Sequence, residues 1–385
     1  MFTILRGYVF RLYPTDKQKE LINKTIGCTR FIYNHFLDEK INDYKKTGKS
    51  KSCYDQIKEL PTLCREYPWF SEVDSCSLRT ALFSLDDAYK RFYSKQNGFP
   101  KLKNKDTGNS YKTNNIKNTY KDKNYESIKV DFQNKVIILP KLKEVKFKGY
   151  RHKTNFIGNI KSAVIRRQAN KYYVSLLVEE SLILPEFIPR NIVGLDLGIK
   201  DIIITSYNDK IENSLSSLEV KKRIKGLQKG LARCKSGSKN RYKIKLKLQR
   251  TYMKLKNIRK HLIHYVTNRL VKDNDIIVME DLDIKNMYQT HRVAKSLTNI
   301  PLAEIKQVLE YKCKWQNKKL LTINRYYPSS QTCSVCGYQN KEVKDLNIRR
   351  WECPKCSSLH DRDINASVNI MFEGLKMYMQ SLVLK

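Results

Sequence analysis

The chain has 385 residues and a mass of 45.4 kDa, and 75 lysines and arginines against 38 acidic residues give it a formal net charge of +37. The length allows two or three domains, and a hydrophobic share of 41% excludes a disordered basic tail because it is enough for sizeable cores. A field this positive favours nucleic acid as the partner, while the absence of any apolar run of about 18 residues excludes a transmembrane helix.

The N-terminal residues predict one strand followed by helices. Alternating apolar residues indicate a strand over Thr3–Tyr13, and Thr15 is suited to cap the helix that follows. Apolar residues at helical spacing predict three helices, at Asp16–Lys45, Ser52–Glu66 and Ser75–Gln96. Residues 98–125 are rich in lysine and asparagine and poor in apolar side chains, which predicts a loop or a disordered linker.

The pattern changes after residue 126 to short apolar runs interleaved with Arg, Lys and Tyr. Five strands are predicted, at Ile128–Phe132, Lys135–Leu139, Val145–Phe147, Ser162–Gln168 and Tyr172–Glu179. Short strands at this spacing favour a small barrel. The N-terminal strand would complete this barrel, with the three helices inserted between them.

The second half of the chain alternates strands with strongly basic helices. Four strands are predicted, at Asn191–Leu197, Asp201–Tyr207, Asp275–Met279 and Leu320–Arg325. Residues 221–260 hold 17 Lys and Arg and no acidic residue, and they predict two helices with a break near Ser236–Ser238. Two further helices are predicted, at His261–Lys272 and Leu302–Asn317.

Two CxxC pairs near the C-terminus indicate a metal site. Cys333 and Cys336 are followed, after sixteen residues, by Cys353 and Cys356. Each pair makes a tight turn that aims two thiolates at one point, and four such ligands predict a closed, structural zinc site. A redox motif or a disulfide is the alternative, but the chain has neither the single motif nor the short secreted length those require. We therefore expect an intracellular, reduced protein.

Three acidic residues stand at the ends of apolar segments. Asp196 ends one apolar strand and Glu280 another, while Asp363 directly precedes an amphipathic helix. Each by itself fits a strand-end or capping residue. Together, in a chain this basic, they favour a site for two Mg²⁺ ions about 4 Å apart, the arrangement used for in-line phosphodiester hydrolysis.

These segments resemble the TnpB proteins of bacterial insertion sequences, which are similar to type V CRISPR effectors. The resemblance is carried by GLDLGIKD at 194–201, IIVMEDL at 276–282, the two CxxC pairs and DRDINASVNI at 361–370. It extends to residues 6–34, 291–312 and 325–337, so it covers nearly the whole chain.

The resemblance implies a mixed α/β fold with β-barrel and helical parts. A β-barrel wedge domain would comprise residues 1–13 and 126–188, with a helical recognition domain inserted at 14–125. A RuvC-like nuclease domain of RNase H-like fold would comprise residues 189–328 and 357–385. A zinc-ribbon module at 329–356 would be inserted in it.

The implied activity is RNA-guided DNA cleavage beside a short target-adjacent motif. Asp196, Glu280 and Asp363 match the family's catalytic acids and would hold two Mg²⁺ ions, while the four cysteines would hold one Zn²⁺. The implied partners are a guide RNA from the transposon end and double-stranded target DNA. We expect a monomer within the ribonucleoprotein, located in a prokaryotic cytoplasm at the nucleoid.

Candidate nucleic-acid contacts come from basic and aromatic residues on the predicted barrel, the recognition helices and the basic helical pair. They are Tyr8, Arg11, Arg79, Thr80, Lys221, Lys222, Arg223, Arg233, Arg241 and Arg250. The alternative for each is a core residue or a solvated basic face.

Three other functions are compatible with parts of the sequence. A CRISPR effector with an array-derived guide would share every motif. A DNA-binding repressor without cleavage would be expected to lack one of the acids, and all three are present. A strand-joining transposase would need a nucleophilic tyrosine near metal-binding histidines, whereas the chain has only six histidines.

Overall fold

The computed structural model describes residues 2–105, 107–120, 123–149, 156–198, 201–212, 218–282, 302–345 and 347–383. The fold separates into two compact units, Met1–Leu182 and Ile183–Lys385. None of the helices in the described ranges combines the length and the apolar character needed to span a bilayer.

The first unit is built on an antiparallel sheet. Its described strands are β1 (Phe2–Tyr13), β2 (Ser110–Asn114), β3 (Lys117–Tyr120), β4 (Lys123–Glu126), β5 (Lys129–Asp131), β6 (Val136–Leu139), β7 (Lys143–Gly149), β8 (Asn159–Gln168) and β9 (Lys171–Leu182). Seven of them form one sheet in the order β2-β8-β9-β1-β7-β6-β5, while β3 and β4 form a separate hairpin. The predicted N-terminal strand is therefore confirmed as the one that joins the two halves of this sheet.

The two edges of this sheet are joined by side chains next to β2 and β5. The Asn115 carboxamide accepts a hydrogen bond from the Ile128 amide at 2.9 Å and donates to the Ile160 carbonyl at 3.0 Å. The Ser127 hydroxyl accepts from the Ile116 amide at 2.8 Å. These bonds curl the sheet into a barrel around an apolar core.

The prediction of a loop or linker over residues 98–125 is wrong in its second half. β2 lies there and pairs with β8 from Ser110 to Asn114, and the β3–β4 hairpin follows it. All three strands are polar, and the partner of β2 comes from a distant segment, which a local apolar pattern cannot detect. One strand of the barrel sheet therefore falls inside the predicted helical segment 14–125.

Three helices are inserted between β1 and β2. They are α1 (Asp16–Thr47), α2 (Cys53–Glu66) and α3 (Ser75–Tyr93), with a 3₁₀ turn at Pro68–Glu72. Thr15 caps α1 as predicted, with its side chain accepting from the Gln18 amide while the Gln18 side chain bonds back to the Thr15 amide. The three helices share their own apolar core.

The second unit contains a five-stranded sheet with the strand order of the RNase H-like fold. The described strands of the second unit are β10 (Ile192–Asp196), β11 (Asp201–Thr205), β12 (Lys210–Glu212), β13 (Ile276–Glu280), β14 (Lys319–Ile323), β15 (Arg350–Glu352) and β16 (Leu359–Asp361), of which the last two form a separate pair. The sheet order is β12-β11-β10-β13-β14, or 3-2-1-4-5 along the unit. β10, β11 and β12 are antiparallel, whereas β13 and β14 run parallel to β10.

Helices cover both faces of this sheet. They are α4 (Leu218–Arg233), α5 (Lys239–Asp273), α6 (Leu302–Trp315) and α7 (Arg362–Val383). The break between the two basic helices lies where it was predicted, with Ser238 as the N-cap of α5. The separate helix predicted at His261–Lys272 is wrong, because α5 continues through it without interruption.

Candidate functional site

The alternation of β10 and β13 places two of the predicted acids on one face of the sheet. Val193 and Leu195 point to the core formed with α5 and α6, as do Ile277 and Met279. The next positions, Asp196 and Glu280, therefore point to the opposite face. Leu195 pairs with Met279, so the two acids end neighbouring parallel strands at the same level.

Helix α7 lies on that face at very short distance, because glycines remove the side chains that would keep it away. A Cβ added at Gly194 would lie 2.0 Å from the Ser367 carbonyl oxygen and 2.6 Å from the Met371 amide nitrogen. A Cβ at Gly374 would lie 2.3 Å from a methyl carbon of Val278. This packing brings the first turn of α7, and Asp363 within it, to the carboxyl ends of β10 and β13.

The three acids interact electrostatically. Burial, together with the charges of Glu280 and Asp363, raises the pKa of Asp196 to about 7 against a smaller opposing effect of Arg362. Burial also raises the pKa of Glu280, although its hydrogen bond with Ser329 lowers it. Repulsion among three half-buried carboxylates is the electrostatic condition that a divalent cation relieves. Their oxygen donors suit a hard cation such as Mg²⁺.

Two of the acids have specific partners in the structure. The Ser329 hydroxyl donates to Oε1 of Glu280 at 2.5 Å. The Arg349 guanidinium lies 3.4 Å from both carboxylate oxygens of Asp363. Sequence reasoning missed both partners. Ser329 lies in the segment RYYPSSQTCSVCG that supported the family resemblance, so its signal was present but was not interpreted.

The neighbouring acids have structural partners. Asp281 bonds Arg325 at 2.6 Å and Lys306 at 3.1 Å, and these bonds hold its pKa below the ordinary value. Asp361 caps α7 by accepting from the amides of Asp363 and Ile364, and it pairs with Lys210 at 2.6 Å. Asp283 follows strand β13 in sequence, where a solvated or capping role is expected, and it lies outside the described residues.

The four cysteines form a second site. Their sulfur atoms all lie within 4.8 Å of one another, and within the described ranges no other group of potential ligands converges in this way. Two pairs of sulfurs, Cys333–Cys356 and Cys336–Cys353, are 3.7 and 3.5 Å apart. A tetrahedral ion with Zn–S bonds of about 2.3 Å needs sulfurs about 3.8 Å apart, so the four residues fit zinc.

Hydrogen bonds at this cluster favour the thiolate form of Cys333, whereas contacts with the other three cysteines raise the pKa of Cys336. Burial raises the pKa of Cys333, but hydrogen bonds with Ser358 and with the amides of Cys336 and Val335 outweigh it and hold the pKa at about 5. Nε2 of His360 is 3.1 Å from the Cys333 sulfur. His360 therefore lies at the cysteine cluster.

The candidate nucleic-acid residues of the first unit have different environments. Arg79 is exposed on α3, whereas Thr80 is buried and donates to the carbonyls of Ser77 and Lys112. The Tyr8 hydroxyl donates to buried Glu180, and its ring packs on Phe156. Thr80 and Tyr8 are thus engaged within the protein, which argues against the contacts predicted for them.

Arg11 belongs to a cationic and aromatic row on the outer face of the barrel. It pairs across the sheet with Lys148 on β7 and with Tyr173 on β9, and Tyr173 pairs in turn with Arg166 on β8. Directly opposite residues of an antiparallel sheet share a face. The Arg11 guanidinium lies 4.7 Å from the ring centre of Tyr13, and that of Arg166 lies 5.4 Å from the ring centre of Tyr173.

The basic helical pair α4–α5 presents most of its predicted contacts to solvent. The exposed members are Lys222, Arg223, Arg233 and Arg250, while Lys221 and Arg241 are half-buried. Arg241 donates to the Leu231 and Cys234 carbonyls at the end of α4, at 2.8 and 3.1 Å. Its guanidinium therefore joins the two helices, a structural role that the charge pattern did not predict.

Three family models match the chain. Residues 174–291 match one described as "Probable transposase", residues 303–370 match the TNB domain of Cas12f1-like proteins, and residues 1–49 match one described as "Helix-turn-helix domain". Within residues 2–47 the structure has the strand β1 and the single helix α1 rather than two helices joined by a turn.

Curated relatives match over almost the full length. A Streptomyces pristinaespiralis protein named "Putative RNA-guided DNA endonuclease" is 29% identical, with 97% of this chain and 90% of the relative aligned. The Escherichia coli K12 protein with the same name and the designation InsQ is 28% identical over 96% and 92%. A protein of Acanthamoeba polyphaga mimivirus named "TnpB-like protein L79" is 28% identical over 49% and 38%.

Solved structures resemble the fold as well. A Cas12f1 chain in complex with its guide RNA and target DNA aligns over 96% of this chain and 98% of its own, with a TM-score of 0.56 and 14% sequence identity. The second unit thus has an RNase H-like α/β fold that holds acidic residues at its strand ends and an inserted four-cysteine module. The chain is thus similar to transposon-encoded proteins, among them TnpB-like ones.

Proposed function

We propose that this chain is an RNA-guided DNA endonuclease encoded by a transposable element. The observation that carries the proposal is the placement of Asp196, Glu280 and Asp363 at one edge of an RNase H-like sheet, where their charges interact. The names of the full-length relatives and the Cas12f1 fold support the same activity. The target would be DNA beside a short target-adjacent motif.

The three carboxylates would hold two Mg²⁺ ions. When bound, these ions would polarise the scissile phosphodiester and lower the pKa of the attacking water. The chain's own contribution is to fix the carboxylates on rigid elements, because β10, β13 and α7 all contribute side chains to apolar cores. Arg349 neutralises part of the charge of Asp363 at this edge.

The cysteine cluster would hold one Zn²⁺ with a structural role. All four ligands are supplied by the protein, so no coordination position is left for a substrate. Its apolar surroundings include Val343 and Trp351, which form a small core of their own with the cysteines. Binding free energy at such a site contributes directly to folding of the segment.

Two cationic surfaces would bind nucleic acid. The outer row of the barrel, with Arg11, Lys148 and Arg166 beside tyrosine rings, combines phosphate contacts with stacking and suits unpaired RNA. The α4–α5 pair carries a continuous positive surface that suits the phosphates of RNA or of a guide–target duplex. We further propose the four-part domain division predicted from the sequence, except that residues 110–114 belong to the barrel sheet. We also propose a monomeric ribonucleoprotein and a nucleoid location in a prokaryotic cell.

The catalytic assignment predicts complete loss of cutting when any of the three acids is removed. Asp196→Ala, Glu280→Ala and Asp363→Ala should each lower the rate of plasmid cleavage by at least about a thousandfold, because metal-ion catalysis supplies most of the acceleration. The measurement is cleavage by the protein purified with RNA transcribed from its own flanking DNA. RNA binding should remain unchanged.

The matched control is Asp281→Ala, since Asp281 adjoins Glu280 in sequence but pairs with Arg325 and Lys306. This variant should keep cleavage within a few-fold of the wild-type rate. Full activity in any of the three acid variants would contradict the site, and a wild-type protein that carries no discrete RNA would contradict guided recognition.

A further inference from the structure

Ser329 makes a direct hydrogen bond to one of the three acids at the strand ends. Its hydroxyl donates to Oε1 of Glu280 at 2.5 Å, and Ser329 is only 7% exposed. Glu280 is the last residue of β13, so its backbone is fixed by the sheet while its side chain could adopt several rotamers. A buried donor at one carboxylate oxygen selects one rotamer and leaves Oε2 available to a cation.

Ser329 is itself held by α7. The Asn369 carboxamide nitrogen donates to the Ser329 carbonyl at 2.7 Å and to the Thr332 carbonyl at 2.6 Å. Asn369 is 4% exposed, and it lies on the same helix as Asp363. The helix that carries one acid therefore also fixes the residue that orients another.

Asn365, one turn earlier on α7, forms hydrogen bonds with the other end of the segment 329–334. Its nitrogen donates to the Thr332 carbonyl at 2.7 Å, and its oxygen accepts from the Ser334 amide at 3.0 Å. Thr332 and Ser334 flank Cys333, so residues 329–334 run from Glu280 to the cysteine cluster and are tied to α7 along the way. Asn365 is 2% exposed.

We propose that Ser329 is a positioning residue that orients the Glu280 carboxylate for divalent-cation binding, and that Asn369 acts through Ser329. The inference rests on the proposed nuclease function and assigns roles to two residues outside the three acids. Partners of metal-binding carboxylates typically change metal affinity or activity by about 10- to 100-fold when they are removed. Ser329 is such a hydrogen-bonding partner of Glu280.

The test compares Ser329→Ala with Ser329→Thr, which keeps the hydroxyl. Mn²⁺ binding to the full-length protein without RNA is measured by electron paramagnetic resonance, with Asp196→Ala as the reference for a lost site. Single-turnover cleavage is then measured as a function of Mg²⁺ concentration. Ser329→Ala should weaken Mn²⁺ binding and raise the Mg²⁺ requirement by about tenfold, with Ser329→Thr close to wild type.

The matched control is Ser367→Ala. Ser367 is a fully buried serine on α7 whose hydroxyl donates to the Ile364 carbonyl of its own helix. Its loss should leave both the Mn²⁺ affinity and the Mg²⁺ requirement unchanged. Zinc content and the thermal midpoint of every variant report whether the fold is intact.

The role of Asn369 is tested by a double-mutant cycle. Asn369→Ala should weaken Mn²⁺ binding in the wild-type background and have little further effect in Ser329→Ala, because both changes release the same carboxylate. Additive effects would overturn the proposed route through Ser329.

Wild-type Mn²⁺ affinity and Mg²⁺ requirement in a folded Ser329→Ala would overturn the inference as a whole. If the wild-type protein instead cut no DNA, the proposed function would fail, while the Mn²⁺ measurement would still decide the role of Ser329.

Discussion

Asp196 and Lys312 are two residues of the second unit whose charge is buried, and their surroundings differ. Asp196 faces two other carboxylates at the edge of the sheet, a repulsion that a cation can relieve. Lys312 lies between α5 and α6, where its ammonium donates to the His264 carbonyl at 3.1 Å and the Thr267 hydroxyl at 2.5 Å. Burial lowers the pKa of Lys312 to about 8. The carboxylates around Asp196 can therefore bind a cation, whereas the hydrogen bonds of Lys312 only compensate for the burial of its own ammonium group.

Replacing Lys312 by an apolar side chain of similar length should therefore stabilise the protein. At pH 7 the folded chain holds a charged lysine in a poorly solvated position, and Lys312→Met removes that cost, raising the free energy of unfolding by about 1–2 kcal/mol. The Thr267 hydroxyl stays satisfied because it also donates to the Ile263 carbonyl. Urea unfolding of the two proteins gives the difference.

The pH dependence has a definite sign. Because the folded pKa of Lys312, about 8, lies below the ordinary value of 10.5, the unfolded wild type binds more protons between these pH values. The free energy of unfolding of the wild type should therefore rise relative to that of Lys312→Met from pH 8 to pH 10.5. The difference between the two proteins should become smaller over this range. If the difference in the free energy of unfolding stayed constant with pH, burial of the ammonium group would not be its cause.

At the scale of elements, α7 organises the site. It carries Asp363 in its first turn, and its asparagines hold residues 329–334. Its position depends on the close approach at Gly194, where the nearest atoms are backbone atoms of α7 that cannot turn aside. Gly194 is thus required by helix packing.

Gly194→Ala should destabilise the second unit and abolish cleavage. The added Cβ would lie 2.0 Å from the Ser367 carbonyl oxygen, so α7 must shift away from β10 and take Asp363 with it. Overpacking of this kind costs about 1–3 kcal/mol or more, and thermal unfolding measures it.

Gly27→Ala is the control for this prediction, since Gly27 lies within α1 and a Cβ there has no neighbour within 4 Å. That variant should be neutral or slightly more stable, by up to about 1 kcal/mol. Normal cleavage by Gly194→Ala would contradict the role given to the packing of α7.

The elements that sequence reasoning predicted well are those with strong local signals. The Thr15 cap, the apolar strands β10 and β13 and the CxxC spacing are local in the chain, and the structure confirms the elements they predicted. The polar strand β2 was missed because its partner β8 is about 50 residues away. Ser329 was missed because its role depends on a contact with Glu280, 49 residues away.

At the scale of the whole molecule, the net charge of +37 is distributed over both units. Many basic residues are already paired with acids, as Lys24 is with Glu20 and Glu72. Others, such as those on the exposed side of α4–α5, face solvent. Only those solvent-facing lysines and arginines that have no acidic partner to leave should release counterions from a nucleic acid when they bind it.

This distinction predicts how guide RNA affinity depends on salt. Two triple variants that each lower the net charge by three are compared. The first replaces exposed residues of α4–α5 by glutamine: Lys222, Arg223 and Arg250. The second replaces lysines that form ion pairs in the first unit: Lys19, Lys24 and Lys90.

The dissociation constant of each protein for its RNA is measured between about 50 and 200 mM salt. Each phosphate contact to single-stranded RNA contributes about 0.7 to the slope of log K against log salt. The slope of the first variant should therefore be smaller in magnitude than that of the wild type by about 2. The second should stay close to wild type, because its lysines are already compensated by acids. Equal losses in both variants would show that overall charge, and not the α4–α5 surface, determines binding.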